Sequence, residues 1–240
     1  MIVTIHNRKG GVGKTTTAIN LAVNLALASQ EVLLIDGDHQ HNASLGLGCR
    51  ARPATYDWLV YQKFLPEKVR PTLDLLPTAA APSTQDAAWI ANSRQNTVSK
   101  RLASLPHYDW IIVDTAPSES VWVNSLLACS DAILIPVDFS LYSIQGLTEL
   151  IETLDRKRII GLVPVRYDLR NRRSVELLEV LKSSGGNLVA PPIRVGVDVD
   201  RAAQNGLGMI EFASHSGVAR DYLNLTDWMV TQIGGKITHP

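Results

Sequence analysis

The chain has 240 residues, 45% hydrophobic and 19% charged, a balance that excludes a disordered or fibrous protein and suits one α/β domain with a large core, expected to span residues 1–240. Its 23 basic and 23 acidic residues cancel, so overall charge points neither to nucleic acid nor to an anionic membrane. No apolar run approaches the roughly 20 residues of a membrane span, no secretory leader pattern opens the chain, and two cysteines in unrelated contexts, Cys49 and Cys129, fit a reducing cytoplasm without disulfides.

In chain order, short apolar runs alternate with longer helical patterns. The β-branched run Ile2-Val3-Thr4-Ile5 predicts a strand over 2–6. A glycine-rich stretch, Lys9-Gly10-Gly11-Val12-Gly13-Lys14-Thr15-Thr16, comes next, and apolar residues at helical spacing then predict a helix over 14–29. Further strands are predicted at 32–35, 73–76, 110–113, 132–135 and 159–163, with a shorter one at 188–190. Further helices are predicted at 55–64, 94–105, 120–128, 143–155, 174–183, 199–205 and 217–233. Val32-Leu33-Leu34-Ile35 and Trp110-Ile111-Ile112-Val113 have no polar alternation. Such strands are buried on both faces, as in a doubly wound, mostly parallel sheet flanked by helices. Pro77 to Ser93 reads as a surface loop leading into a helix, and Gly234 to Pro240 as a frayed tail.

The stretch at 9–16 carries the chemistry. Glycines without a Cβ let consecutive backbone N–H groups point inward at an anion, and the following helix adds its N-terminal dipole. Lys14 supplies a point charge for the β- and γ-phosphates of a nucleotide, and the Thr15 hydroxyl is a magnesium ligand. The common form of such a loop has glycine at position 8; here Arg8 stands there, and a second lysine, Lys9, opens the loop.

Ligands of a doubly wound sheet bind at the carboxyl ends of its strands. Asp36 and Asp38 follow the strand ending at Ile35, and Asp114 ends the apolar run from Trp110. Asp36 and Asp114 are suited to orient water on a magnesium ion. His39 and His41 extend this to Asp-x-Asp-His-x-His. That spacing admits zinc or manganese, against the plainer reading of two surface histidines on a loop.

Together these motifs resemble the ParA/MinD family of ATPases, whose phosphate loop begins with a signature lysine. Leu34-Ile35-Asp36-Gly37-Asp38-His39-Gln40-His41-Asn42-Ala43-Ser44 is similar to the family's first switch segment, with His39 in place of a proline. Tyr108-Asp109-Trp110-Ile111-Ile112-Val113-Asp114-Thr115-Ala116-Pro117-Ser118 is similar to its second, with Ala116 in place of a proline. Asp131 to Val137, followed by a helix from Ser143, also resembles the ParA pattern. The resemblance covers roughly the first two thirds of the chain. It implies an ATPase that uses Mg2+ and ATP, with nucleotide held by residues Lys9, Gly10, Gly11, Val12, Gly13, Lys14, Thr15 and Thr16. It further implies catalysis by Lys14, by Asp38 positioning the attacking water, and by Lys9 reaching the partner subunit's nucleotide across a homodimer. Arg166 stands where family members contact the nucleotide base. An iron–sulfur role for the cysteines, as in a related reductase, is the alternative to incidental burial.

The branches of the family differ in the surface on which they act. The last helical pattern places Val218, Tyr222, Leu223, Leu225, Trp228, Met229 and Ile233 on its apolar side and lacks a Lys/Arg-rich polar face, so it reads as a core helix and not as a membrane anchor. Residues 156–182 carry eight basic residues against Asp168, Glu176 and Glu179. Within them Arg156, Arg158, Arg170, Arg172 and Arg173 are the candidates for contacting DNA phosphates without reading sequence. Asp198 falls near a position that is basic in typical ParA proteins. The chain begins at its first strand, so the expectation is the short form without an N-terminal DNA-binding extension. The reading is a cytoplasmic, nucleoid-associated ATPase that partitions a plasmid, chromosome or other cargo. It binds nonspecific DNA as an ATP dimer and is reset by a ParB-like partner, without membrane. A MinD-like membrane-associated regulator and a P-loop metabolic enzyme are the alternatives.

Overall fold

The computed structural model describes residues 1–78, 96–139 and 141–238. Its strands are β1 (Ile2–Ile5), β2 (Val32–Gly37), β3 (Glu67–Arg70), β4 (Leu73–Leu76), β5 (Trp110–Thr115), β6 (Ala132–Asp138) and β7 (Ile159–Val165). They form one sheet in the order β3-β4-β2-β5-β1-β6-β7. All neighbours are parallel except β3 and β4, which form an antiparallel edge. β3 was not expected: Glu67-Lys68-Val69-Arg70 has no apolar run, and its charges suit an exposed edge. The strand expected at 188–190 is instead a 3₁₀ turn, Gly186–Leu188, after which Val189 makes a single bridge to Leu162. Leu-Val-Ala is too short a run to fix a strand against a glycine pair.

The helices are α1 (Lys14–Leu27), α2 (Asn42–Gly46), α3 (Ala54–Tyr61), α4 (Asn96–Ala103), α5 (Val121–Cys129), α6 (Leu141–Thr153), α7 (Arg172–Gly185), α8 (Asp198–Gln204), α9 (Met209–Phe212) and α10 (Gly217–Gln232). The sequence reading missed α2 and α9, which are too short for a helical period to show. It placed the others within a few residues of their ends. The part of the 77–93 loop beyond residue 78 and the start of the helix expected at 94 lie outside the described residues.

Strand alternation divides the core. Val32 and Leu34 of β2, Ile112 of β5 and Leu134 of β6 pack with α1 and α10 on one face. Leu33, Ile35, Ile111 and Val113 pack with α3, α4 and α5 on the other. Ile133, Ile135 and Val137 continue that second face under α6 and α7. α10 starts at Ser216, whose hydroxyl accepts from Ala219 N–H. It buries Val218, Tyr222, Leu225 and Met229 against α1, as its periodicity predicts. Gly161 lets it come close to β7: a Cβ there would stand 2.5 Å from the Trp228 ring.

Candidate functional site

The carboxyl end of β1 leads into residues 6–13, which arch over the sheet and deliver Gly13 as the N-cap of α1. Gly11 and Gly13 have φ of 73° and 75°, left-handed values that a Cβ disfavours; Gly10 does not need that freedom. The arch is tied from below by Asn7. Its Oδ1 accepts from Lys9 N–H at 2.9 Å and its Nδ2 donates to the Pro136 carbonyl at 2.7 Å. Lys14 is 6% exposed, and its ammonium donates to the Lys9 carbonyl at 2.9 Å, spanning the mouth of the loop.

Register brings the carboxylates to this loop. β2 and β5 run parallel with Asp36 level with Asp114, and Asp114 is level with Ile5 on its other side. Because Ile35 and Val113 face α3–α5, the next residue on each strand turns toward α1. Gly37 permits the close pairing, since a Cβ there would lie 2.5 Å from the Asp114 carbonyl oxygen. Asp36 accepts from Ser44 N–H at 2.9 Å and from the Ser44 hydroxyl at 2.5 Å, so α2 is fastened to β2 through this side chain. Asp38 accepts from Gln40 N–H at 3.0 Å.

Both oxygens of Asp114 are buried without a hydrogen-bond partner. The Thr15 hydroxyl beside it lowers the pKa of Asp114 without forming a hydrogen bond of good geometry. Burial, then the charges of Asp36 and Asp38, push Asp114 up to about 8. Burial, partly countered by Ser44, pushes Asp36 up to about 6. Burial lowers the Lys14 ammonium, against the raising effect of Asp114 and Asp38. Asp38 and Asp114 thus share one buried lysine, with Asp36 next to them. An orphaned buried carboxylate, a Thr15 hydroxyl and excess negative charge are the donor set that hydrated Mg2+ takes, so the residues fit that ion.

These shifts set a pH dependence. Between the ordinary carboxylate value of 3.8 and the raised values of about 6 and 8, the folded protein keeps protons that the unfolded chain has released. Stability therefore falls as pH rises through that window. His6, held down at about 4 by burial and by the Lys14 and Arg8 charges, works in the opposite direction up to its ordinary 6.5. Above pH 6.5 only Asp114 of these three still titrates, at about 1.4 kcal/mol per pH unit. Thermal melts of the magnesium-free protein are expected to drop between pH 6.5 and 8 and to flatten with saturating Mg·ADP. A metal-free melting temperature that climbs across that range contradicts this assignment.

A cavity of about 570 Å3 opens over these groups, lined among others by Gly10, Lys14, Thr15, Asp38, Arg166 and Val199. Arg166 sits just past β7 with φ of 58°, a strained value for a side-chain-bearing residue. Lys9 is partly exposed, and its ammonium lies 2.8 Å from both oxygens of Asp138, at the end of β6. Sequence reasoning named neither Asp138, which is 129 residues from Lys9, nor Asn7. Ser44 closes the first switch-like stretch in the sequence, but no role was assigned to it there. His41 adopts a left-handed φ of 48°, and His39 Nδ1 is 3.7 Å from Asp38. Among the described residues no group of three or more His, Cys, Asp or Glu has a metal-holding arrangement.

The five candidate arginines do not lie at one end of the sheet. Arg156 and Arg158 lie in the 3₁₀ turn before β7, while Arg170, Arg172 and Arg173 follow it, so the seven residues of β7 hold the two groups about 20 Å apart. Arg170 pairs with Asp168 at 3.0 Å, Arg172 with Glu176 at 2.8 Å and Arg158 with Asp155 at 3.4 Å. No described helix is long and apolar enough to cross a membrane.

Residues 1–159 match the family model described as an AAA domain. The chain is similar to the chromosome partitioning protein ParA of Caulobacter vibrioides, 29% identical over 96% of this chain and 94% of that one. It is 31% identical to the sporulation initiation inhibitor protein Soj of Bacillus subtilis, over 93% of this chain and 96% of the relative. A candidate plasmid partition protein from Borrelia burgdorferi B31, solved with AMPPNP bound, superposes with a TM-score of 0.80 at 26% identity, covering 96% of this chain and 98% of that one.

Proposed function

Because the chain belongs to this AAA-domain family of ParA- and Soj-type P-loop ATPases, we propose that residues 1–240 act as one ATPase domain that partitions a plasmid, chromosome or other cargo. The observation that carries the proposal is the pairing of a two-lysine phosphate loop with Asp36 and Asp114 in register beneath it. Gly10 to Thr16 hold the phosphates; Thr15, with Asp36 and Asp114 behind it, would hold Mg2+, which would supply charge neutralisation to the phosphates. Lys14 offsets charge on the transferring group, and Asp38 aligns the attacking water, since phosphoryl transfer depends on position and electrostatics. Arg166 and Val199, which also line the cavity, accommodate the base. α10 buries its apolar side against α1, which favours the partition reading over a membrane-bound regulator.

ATP bridges two copies in this reading, and Lys9 leaves Asp138 for the partner's nucleotide. Lys9→Ala is expected to bind ATP nearly as tightly, to stay monomeric with ATP in light scattering, and to hydrolyse about 10²–10³-fold more slowly. Normal turnover in that variant eliminates the cross-dimer role. The dimer binds DNA through phosphates, with Arg170, Arg172 and Arg173 at the carboxyl end of the sheet and Arg156 and Arg158 at the other, and a ParB-like partner resets it. DNA binding measured with ATP, ADP and no nucleotide over a salt series is the test. The expected result is ATP-dependent, sequence-independent binding that falls linearly with log salt. Binding indifferent to nucleotide, or none, overturns the reading.

A further inference from the structure

His6 follows Ile5, which faces α1, so alternation at the end of β1 turns His6 to the opposite side of the sheet from Lys14. There it is 2% exposed and lines a second cavity, of about 530 Å3, in the groove between α5 and α6. Arg8, Ser118, Glu119, Asp155 and Arg158 complete the polar wall, and Ile133 lies on the floor.

The tautomer of His6 follows from its neighbour. The Thr115 hydroxyl donates to the Ile5 carbonyl at 2.8 Å, so its proton is committed and it can only accept from His6 Nδ1 at 3.0 Å. Nδ1 therefore carries the imidazole proton, and Nε2 presents a bare lone pair with no hydrogen-bond partner among the described residues. Burial and the nearby Lys14 and Arg8 charges keep the ring neutral. The wall's two arginines and two carboxylates balance, Arg8 pairing with Glu119 at 2.7 Å and Arg158 with Asp155 at 3.4 Å, so a ligand for the neutral Nε2 acceptor has to donate a proton there while offering acceptor oxygens to the guanidinium groups.

We propose that this groove is a second phosphate site, taking inorganic phosphate as its monohydrogen or dihydrogen anion. The P–OH donates to His6 Nε2, and the Arg8 and Arg158 guanidinium groups meet the anionic oxygens. This rests on the ATPase reading for the source of the ligand. Pro117 lines the nucleotide cavity and Ser118 lines the second one, so a single stretch of backbone after Asp114 separates the place where phosphate is released from the place that takes it. Sulfate has the same shape but no proton at neutral pH, so it cannot satisfy Nε2.

The test uses the full chain with its phosphate loop saturated by Mg·ADP, titrated with inorganic phosphate or with sulfate and followed by calorimetry and phosphorus NMR. Expected are saturable phosphate binding, sulfate at least about tenfold weaker, and a loss of about tenfold or more in phosphate affinity in Arg158→Met. His6→Leu, if it folds, should lose the preference over sulfate. Equal affinity for the two anions, no saturable phosphate binding, or an unchanged Arg158→Met overturns the proposal. ATP turnover, measured separately as ADP formation, tests the underlying reading. Turnover without phosphate binding in the groove sinks only this site, and phosphate binding without turnover sinks only the ATPase reading.

Discussion

Replacing Lys14 by alanine is expected to remove measurable ATP binding and to lower any residual turnover by at least about 10²–10³-fold. Two contributions combine. The ammonium faces Asp38 and Asp114, whose charges oppose the lowering of its pKa by burial, with Asp36 beside them. Without it, three carboxylates face the phosphates of an incoming nucleotide with only backbone N–H groups to offset the repulsion. The backbone cradle itself should survive, because Gly11 and Gly13 set its shape and Asn7 ties it to β6. Circular dichroism is thus expected to match the parent while calorimetric ATP binding is lost. Parent-like ATP affinity in Lys14→Ala would mean that nucleotide binds elsewhere.

Asp114→Asn is expected to move stability and function in opposite directions. Asp114 is fully buried with both oxygens unpartnered, and its ionisation is opposed by burial and by Asp36. The amide cannot ionise, so the variant should gain on the magnesium-free parent as pH rises toward 8, by about 1.4 kcal/mol per unit, and the gain should level off above that. The same change should weaken magnesium affinity or magnesium-dependent turnover by about 10–100-fold. Denaturant unfolding at pH 7 and pH 9, beside magnesium titrations of nucleotide binding, separates the two effects. A variant less stable at pH 9 and fully active with magnesium would show that Asp114 is structural.

Legibility from sequence followed the range of each interaction. Ile2 to Ile5, Val32 to Ile35 and Trp110 to Val113 announced buried parallel strands because neither face meets water. The loop at 9–16 announced itself because phosphate recognition is built from consecutive backbone groups. Asp36 and Asp114 were readable because they end such strands. The contact of Lys9 with Asp138 spans 129 residues and depends on β6 running past the end of β1, which no local pattern encodes. The basic cluster misled for the converse reason. Arginines close in sequence were carried to opposite ends of a strand, and several were matched by carboxylates from their own segment. β3, α2 and α9 hold their shape through neighbours and not through their own periodicity.

The level pairing of Asp36 with Asp114 also bears on which changes this fold can absorb. Each strand places its side chains on alternate faces, so inserting or deleting one residue within Val32–Ile35 or Trp110–Val113 would turn that strand's carboxylate away from α1 and invert every apolar residue beyond the change. Length variation therefore belongs in connections such as the one between Tyr61 and Glu67, where added residues leave both strands in place. Point substitutions within β2 and β5 affect packing one side chain at a time. A frame slip of a single residue would remove the proposed magnesium site and the core together.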